Sequence, residues 1–132
     1  MTEQTAAPVI FDEMQGDLGK TVGVITLSAP KSLNALSLPM IDMILAQLAA
    51  WQNNSQVACI FFQAAGDKAF CAGGDVVALY EGAAPYGGKM ANQAGERFFS
   101  REYRLDYTLH TYPKPIVIWG GGIVMGGGIG LL

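Results

Sequence analysis

The apolar positions of this chain fall into two kinds of run. Val22-Gly-Val-Ile-Thr-Leu27 and Val57-Ala-Cys-Ile-Phe-Phe62 are continuous and rich in β-branched and aromatic residues. Both predict buried strands, the first ending at Pro30 and the second closed by Gly66-Asp67. Ile116-Val-Ile-Trp119 predicts a third strand, set off by Pro113 and Pro115. Between the first two runs, Ile41, Ile44, Leu45 and Leu48 recur at helical spacing. Ser37 is placed to cap that helix, Pro39 falls in its first turn where a missing N–H costs nothing, and Asn53-Asn54 stops it. A short helix is expected from Asp75 to about Tyr80, a loop over Pro85–Gly88, a longer helix from about Met90 to His110, and a last helix opening at Gly126. Residues 1–8 read as a loose tail, and 9–132 as part of a single domain. The order β-α-β-α-α-β-α predicts an α/β fold.

Composition narrows the picture. At 132 residues the chain has the length of one domain, and it is 51% hydrophobic with only 14% charged residues, against about 25% in an average soluble domain. That surplus needs cover from more chain or from neighbouring subunits, so a homo-oligomer is expected. A net charge of −3 and a pI near 4.9 argue against nucleic acid or an anionic membrane as partner. Cys59 and Cys71 make no disulfide framework, and with His110 as the sole histidine no metal-ligand spacing exists. The opening Met1–Pro8 has neither a basic nor an apolar leader region, which makes the cytoplasm the default location. Pro115–Leu132 is eighteen residues without a charge, long enough to suggest a membrane span, but seven of the eighteen are glycine. A strand, a glycine loop and a short helix fit it better.

Two glycine turns share one design. Phe70-Cys-Ala-Gly-Gly-Asp75 and Met125-Gly-Gly-Gly-Ile-Gly130 each follow a strand and open a helix. Amides at a helix start lack intrahelical partners, and glycine lets a ligand approach the backbone closely. Two such turns facing one another make a two-donor oxyanion hole for a thioester carbonyl. The alternative is a pair of tight turns using glycine for positive φ. Neither a GxGxxG fingerprint nor a P-loop lysine is present.

Glu102 stands out among the side chains. Phe98, Leu105, Leu109 and Tyr112 form one helical stripe, Glu102 lies within it, and none of its neighbours three or four places away is basic. A carboxylate so placed is expected to be functional or paired across the fold, unless it sits at the stripe's edge and reaches water. Cys71 and His110 suggest a nucleophilic pair, but Asp106 is one turn before His110, and a surface pair between those two is the simpler account. Asp75 reads as a helix cap. Arg97, Arg101 and Arg104 share one face and read as solvated or facing a neighbour.

Three segments, Ser32-Leu-Asn-Ala-Leu-Ser37, Gly66-Asp-Lys-Ala-Phe-Cys-Ala-Gly-Gly-Asp75 and Lys114-Pro-Ile-Val with Met125-Gly-Gly-Gly-Ile-Gly130, resemble in order and spacing the crotonase superfamily (enoyl-CoA hydratases and isomerases). The resemblance runs from about Val22 to the last residue and is strongest to the family's 3-hydroxyisobutyryl-CoA hydrolases. It implies a spiral of ββα units, incomplete at the C-terminus, and an acyl-CoA thioester as substrate, with CoA part of that substrate and no separate cofactor or metal. It assigns the two thioester-binding amides to Gly74 and Gly127. Hydratases of the family resemble Gly-Gly-Gly-Cys-Glu at the second turn, where this chain has Gly130, so hydration chemistry is disfavoured. The hydrolases resemble it in that glycine and in a helix like Phe98-Phe-Ser-Arg-Glu-Tyr103, whose glutamate, here Glu102, binds substrate. Lys68 beside the first turn is a candidate contact for a CoA phosphate. The hydrolases' catalytic carboxylates lie in later motifs absent here, and the uncapped end at Leu131-Leu132 reads as the N-terminal portion of a longer protein, inactive alone. Two other readings are a hydratase or isomerase with its acid/base supplied from beyond Leu132, and a non-enzymatic acyl-CoA-binding or assembly module.

Overall fold

The computed structural model describes residues 6–87 and 93–132. Its main sheet has four strands in the order β1 (Val9–Gln15), β2 (Thr21–Leu27), β3 (Val57–Ala64) and β5 (Ile116–Ile118). β1 runs antiparallel to β2, whereas β2, β3 and β5 are mutually parallel neighbours. The three apolar runs are strands, as expected, and lie side by side. β1 was not expected, and the loose tail foreseen at 1–8 falls mostly outside the described residues. Two further short strands, β4 (Ala69–Cys71) and β6 (Ile123–Val124), pair in parallel as a separate ribbon.

Helix α1 (Leu38–Gln52) begins where its sequence says, with the Ser37 hydroxyl accepting from the Met40 amide at 3.4 Å. Ile41, Ile44 and Leu48 are fully buried with Ile25, Leu27, Ile60 and Phe62, while Leu45 is half-buried at the edge of the same cluster. The other end of α1 is held from a distance. Lys114 Nζ donates to the carbonyls of Trp51 and Asn54, and Tyr112 Oη donates to that of Leu48 at 2.7 Å. A cation against the last carbonyls of a helix satisfies orphan acceptors and opposes its dipole. Lys114 thus ties the start of β5 to α1.

The remaining helices are α2 (Val76–Ala83), α3 (Gln93–His110) and the short α4 (Gly127–Leu131). Asp75 caps α2, its carboxylate accepting from the Ala78 amide at 3.0 Å. The expected start of α3 near Met90 and the loop residue Gly88 lie outside the described residues. Pro115–Leu132 resolves into β5, β6 and α4, and no described helix is long and apolar enough to cross a membrane.

Candidate active site

The site begins with the parallel pairing of β4 and β6. Ile123 N donates to Lys68 O at 2.9 Å and Met125 N to Cys71 O at 3.0 Å, which aligns the two strands. Parallel strands end at the same edge, so the two glycine turns that follow them emerge together. A third segment holds the first turn in place. Ala72 N donates to Leu33 O, Leu36 N to Gly73 O and Asp75 N to Leu36 O, at 2.7 to 3.1 Å. The buried Asn34 fixes that segment, its Nδ2 donating to the carbonyls of Ala65 and Ala69 and its Oδ1 accepting from Ala29 N. Gly73 O and Asp75 N face Leu36, and successive groups of an extended backbone point to opposite sides. The Gly74 N–H is thereby turned away from Leu36.

Gly127 of the second turn lies close by. A β-carbon built on Gly127 would stand 3.6 Å from Gly74 N, and one built on Gly73 would stand 3.5 Å from Gly127 N. Among the described residues neither the Gly74 nor the Gly127 amide donates to a protein acceptor. Glycine serves two separate needs here. Gly73 (φ 109°) and Gly126 (φ 54°) occupy backbone conformations that side chains resist. Gly74 and Gly127 have no positive φ, and what they supply is space. A β-carbon at Gly74 would press the Phe98 ring at 3.0 Å, and one at Gly127 would overlap the Glu102 carboxylate.

Glu102 is only 6% exposed, which excludes the reading in which it reaches water at the stripe's edge. It makes neither an ion pair nor a hydrogen bond among the described residues. Its Oε1 lies against Gly127 and within 3.9 Å of a β-carbon built on Gly74. Burial, and after it the nearby Asp106 carboxylate, holds its pKa above the ordinary carboxylate range. A buried carboxyl thus lies beside two open amides.

Other expectations need correction. Asp106 does not pair with His110; Arg101–Asp42 is the one ion pair among the described residues. Asp106 instead turns toward α4, both carboxylate oxygens lying 2.9 Å from the place of a β-carbon on Gly130. Helical spacing from Asp106 to His110 was misleading because a neighbouring glycine helix left room on another side. Cys71 is fully buried, and burial pushes its thiol pKa up, against the opposing effect of backbone bonds with Gly73 and Leu36. That is the wrong direction for a nucleophile. Lys68 is exposed and lines a cleft of about 300 Å³ with Pro30, Lys31, Asn34 and Gly66. Lys31, not singled out from the sequence, lies directly before Ser32-Leu-Asn and lines the same cleft. Arg101 bonds Asp42 on α1, and Arg97 and Arg104 are exposed.

Comparison with known proteins gives a consistent picture. Residues 22–132 match the model of a family described as enoyl-CoA hydratase/isomerase. The chain is 44% identical over 131 residues to the mitochondrial 3-hydroxyisobutyryl-CoA hydrolase of Danio rerio, covering 99% of this chain and 32% of that protein. Against the Rattus norvegicus protein of the same name, identity is 42% over 99% of this chain and 32% of the relative. The chain thus spans about a third of the length of these relatives. Among solved structures, an enoyl-CoA hydratase from Rhodobacter sphaeroides superposes with a TM-score of 0.80 at 37% identity, covering 95% of this chain and 34% of that one. A carnitinyl-CoA dehydratase from Mycobacterium thermoresistibile gives 0.79 at 39%, covering 92% and 33%. The relatives' names also overturn the expected cytoplasmic location, since they are mitochondrial proteins. The composition of the first eight residues carries no weight against that.

Proposed function

Because this chain belongs to the enoyl-CoA hydratase/isomerase, or crotonase, family, we propose that it provides the thioester-polarising part of an acyl-CoA hydrolase site, with 3-hydroxyisobutyryl-CoA as substrate. The observation that carries this reading is the approach of Gly127 to the Gly74 amide, with neither amide engaged and the buried Glu102 carboxyl beside them. In the reaction, water attacks the thioester carbon, the carbonyl oxygen becomes an oxyanion, and collapse breaks the C–S bond to give the acid and CoA thiol. The Gly74 and Gly127 N–H groups donate to the oxygen as its charge grows. Each such donor is worth roughly 2.7–4 kcal/mol in the transition state of comparable sites.

Glu102 is assigned to binding the acyl portion. Lys68, with Lys31 across the same cleft, is assigned to the phosphates of CoA. Polarisation and binding belong to these residues; activation of the water is not assigned to them. The hydrolase names of the relatives support this reaction, and the absence of a side chain at Gly130 removes the residue on which hydration would draw. The substrate assignment places the reaction in valine breakdown, where this thioester arises.

The test is spectroscopic and uses the full-length protein with a carbonyl-labelled, non-hydrolysable analogue of the acyl-CoA. Two donors on the carbonyl oxygen should shift its stretching band to lower frequency on binding. The shift should be smaller when proline replaces Gly74 and removes its N–H. A bound carbonyl with the frequency found in water would sink the two-amide reading.

A further inference from the structure

Asp106 follows Glu102 by one turn, so the two carboxylates share a face of α3. That face lies along α4 in a regular way. Glu102 stands against Gly127, and Asp106 against Gly130. Asp106 Oδ1 is buried and accepts no hydrogen bond among the described residues. Leaving such an acceptor unpaired costs a fold stability, and native structures seldom keep one without a use. The titratable groups facing the pair are Cys71 and each other; no basic group of α1, α2 or α4 bonds either carboxylate among the described residues.

We propose that Asp106 is a specificity-determining residue of the same site, accepting a hydrogen bond from a hydroxyl on the acyl chain of the bound thioester. This rests on the two-amide reading above and adds the acyl group to it. Positions three apart on a helix bring their β-carbons to about 5–6 Å, and Gly127 and Gly130 are so related. A carbonyl oxygen held at the Gly127 amide therefore leaves the Asp106 carboxylate two or three bonds along the acyl chain. A hydroxyl at the third carbon falls there. An acyl chain lacking a donor would bury the carboxylate without a partner, so discrimination follows from the cost of an unmade bond as well as the gain of a made one.

The experiment compares thiol release from 3-hydroxyisobutyryl-CoA and isobutyryl-CoA by the full-length protein and its Asp106→Ala and Asp106→Asn variants, with thermal unfolding as a check on folding. Asp106→Ala should lower kcat/KM for the hydroxylated ester by about tenfold to a hundredfold, and raise that for isobutyryl-CoA, which then no longer leaves a carboxylate buried without a partner. Asp106→Asn keeps an acceptor oxygen and should recover most of the loss. Equal losses on both esters would make Asp106 a structural or reaction-step residue and overturn the proposal, leaving the amide reading intact. No loss on either ester would overturn it as well. A wild-type protein that hydrolyses neither ester overturns both readings together.

Discussion

The two sides of this molecule bury opposite kinds of surface. Between α1 and the main sheet, Ile25, Leu27, Ile41, Ile44, Leu48, Ile60 and Phe62 are fully enclosed, with no carboxylate among them. Between α3 and α4, the enclosed groups include Glu102 and one oxygen of Asp106, packed against glycines rather than methyl groups. The first side gains stability from every contact. The second gives up stability to hold polar groups out of water. Such a division is expected when one face of a fold carries its stability and another its chemistry.

The largest effect should come from breaking the first side. Ile44→Ala removes methyl groups from a site with no exposure and should cost about 2–5 kcal/mol. Glu102→Gln, at a site almost as enclosed, should cost little. Denaturant unfolding of the two variants in the full-length protein measures both. Equal losses would mean that the Glu102 carboxylate is held by favourable interactions, and the contrast between the two sides would fail.

The second effect separates two glycines one residue apart. A β-carbon on Gly128 would collide with the Cys71 carbonyl, a backbone atom fixed by its bond from Met125. The obstacle at Gly127 is the free end of the Glu102 side chain. Gly128→Ala should therefore destabilise by about 1–3 kcal/mol. Gly127→Ala should cost distinctly less stability but more activity, because it pushes the Glu102 carboxylate away from the two amides. Thermal midpoints together with thiol release distinguish these outcomes; a fully active Gly127→Ala would remove Glu102 from the site.

The sequence made the first side of the molecule readable and left much of the second hidden, for physical reasons. A continuous apolar run or a helical repeat reports burial directly, so β2, α1, β3 and β5 were legible. β1 was not, because an edge strand needs only one pairing partner and keeps its outer residues wet; Ile10 and Met14 are exposed although both lie within it. β4 and β6 are too short to carry a pattern of their own and exist through their mutual bonds. The glycine turns were visible as turns, but spacing along a chain cannot say which way an amide points. That direction depends on Leu36 and Asn34 holding the first turn. Asp106 shows the same limit from the other side: its helical neighbour His110 was in view, whereas the glycine facing it sits in a different helix.

A smaller effect is expected from pH. Burial first, and Asp106 second, raise the Glu102 pKa in the folded protein. The fold then retains a proton that the unfolded chain has lost, so stability falls as pH rises from the ordinary carboxylate range through the raised value. Below that window the group contributes nothing to the difference. Glu102→Gln cannot ionise, and its stability relative to the wild type should improve steadily across the window and level off above it. Unfolding free energies at a series of pH values test this. A variant whose stability relative to the wild type declines with rising pH would reverse the sign and point to a cationic partner for Glu102.

The smallest effect should lie in an ion pair that joins the two sides. Arg101 Nε donates to Asp42 Oδ1 at 2.7 Å, linking α3 to α1, but the two side chains remain 41% and 42% exposed. Water and salt screen a pair of this kind, and holding two side chains in one geometry costs entropy. Its worth should therefore lie between about 0 and 1 kcal/mol. A double-mutant cycle with Asp42→Asn and Arg101→Gln isolates the coupling from other losses, and repeating it at high salt should bring the coupling toward zero. A coupling above about 2 kcal/mol that salt leaves unchanged would contradict the contrast between the two sides. It would mean that polar contacts, and not the apolar core beneath α1, hold α3 in the position from which Glu102 and Asp106 face α4.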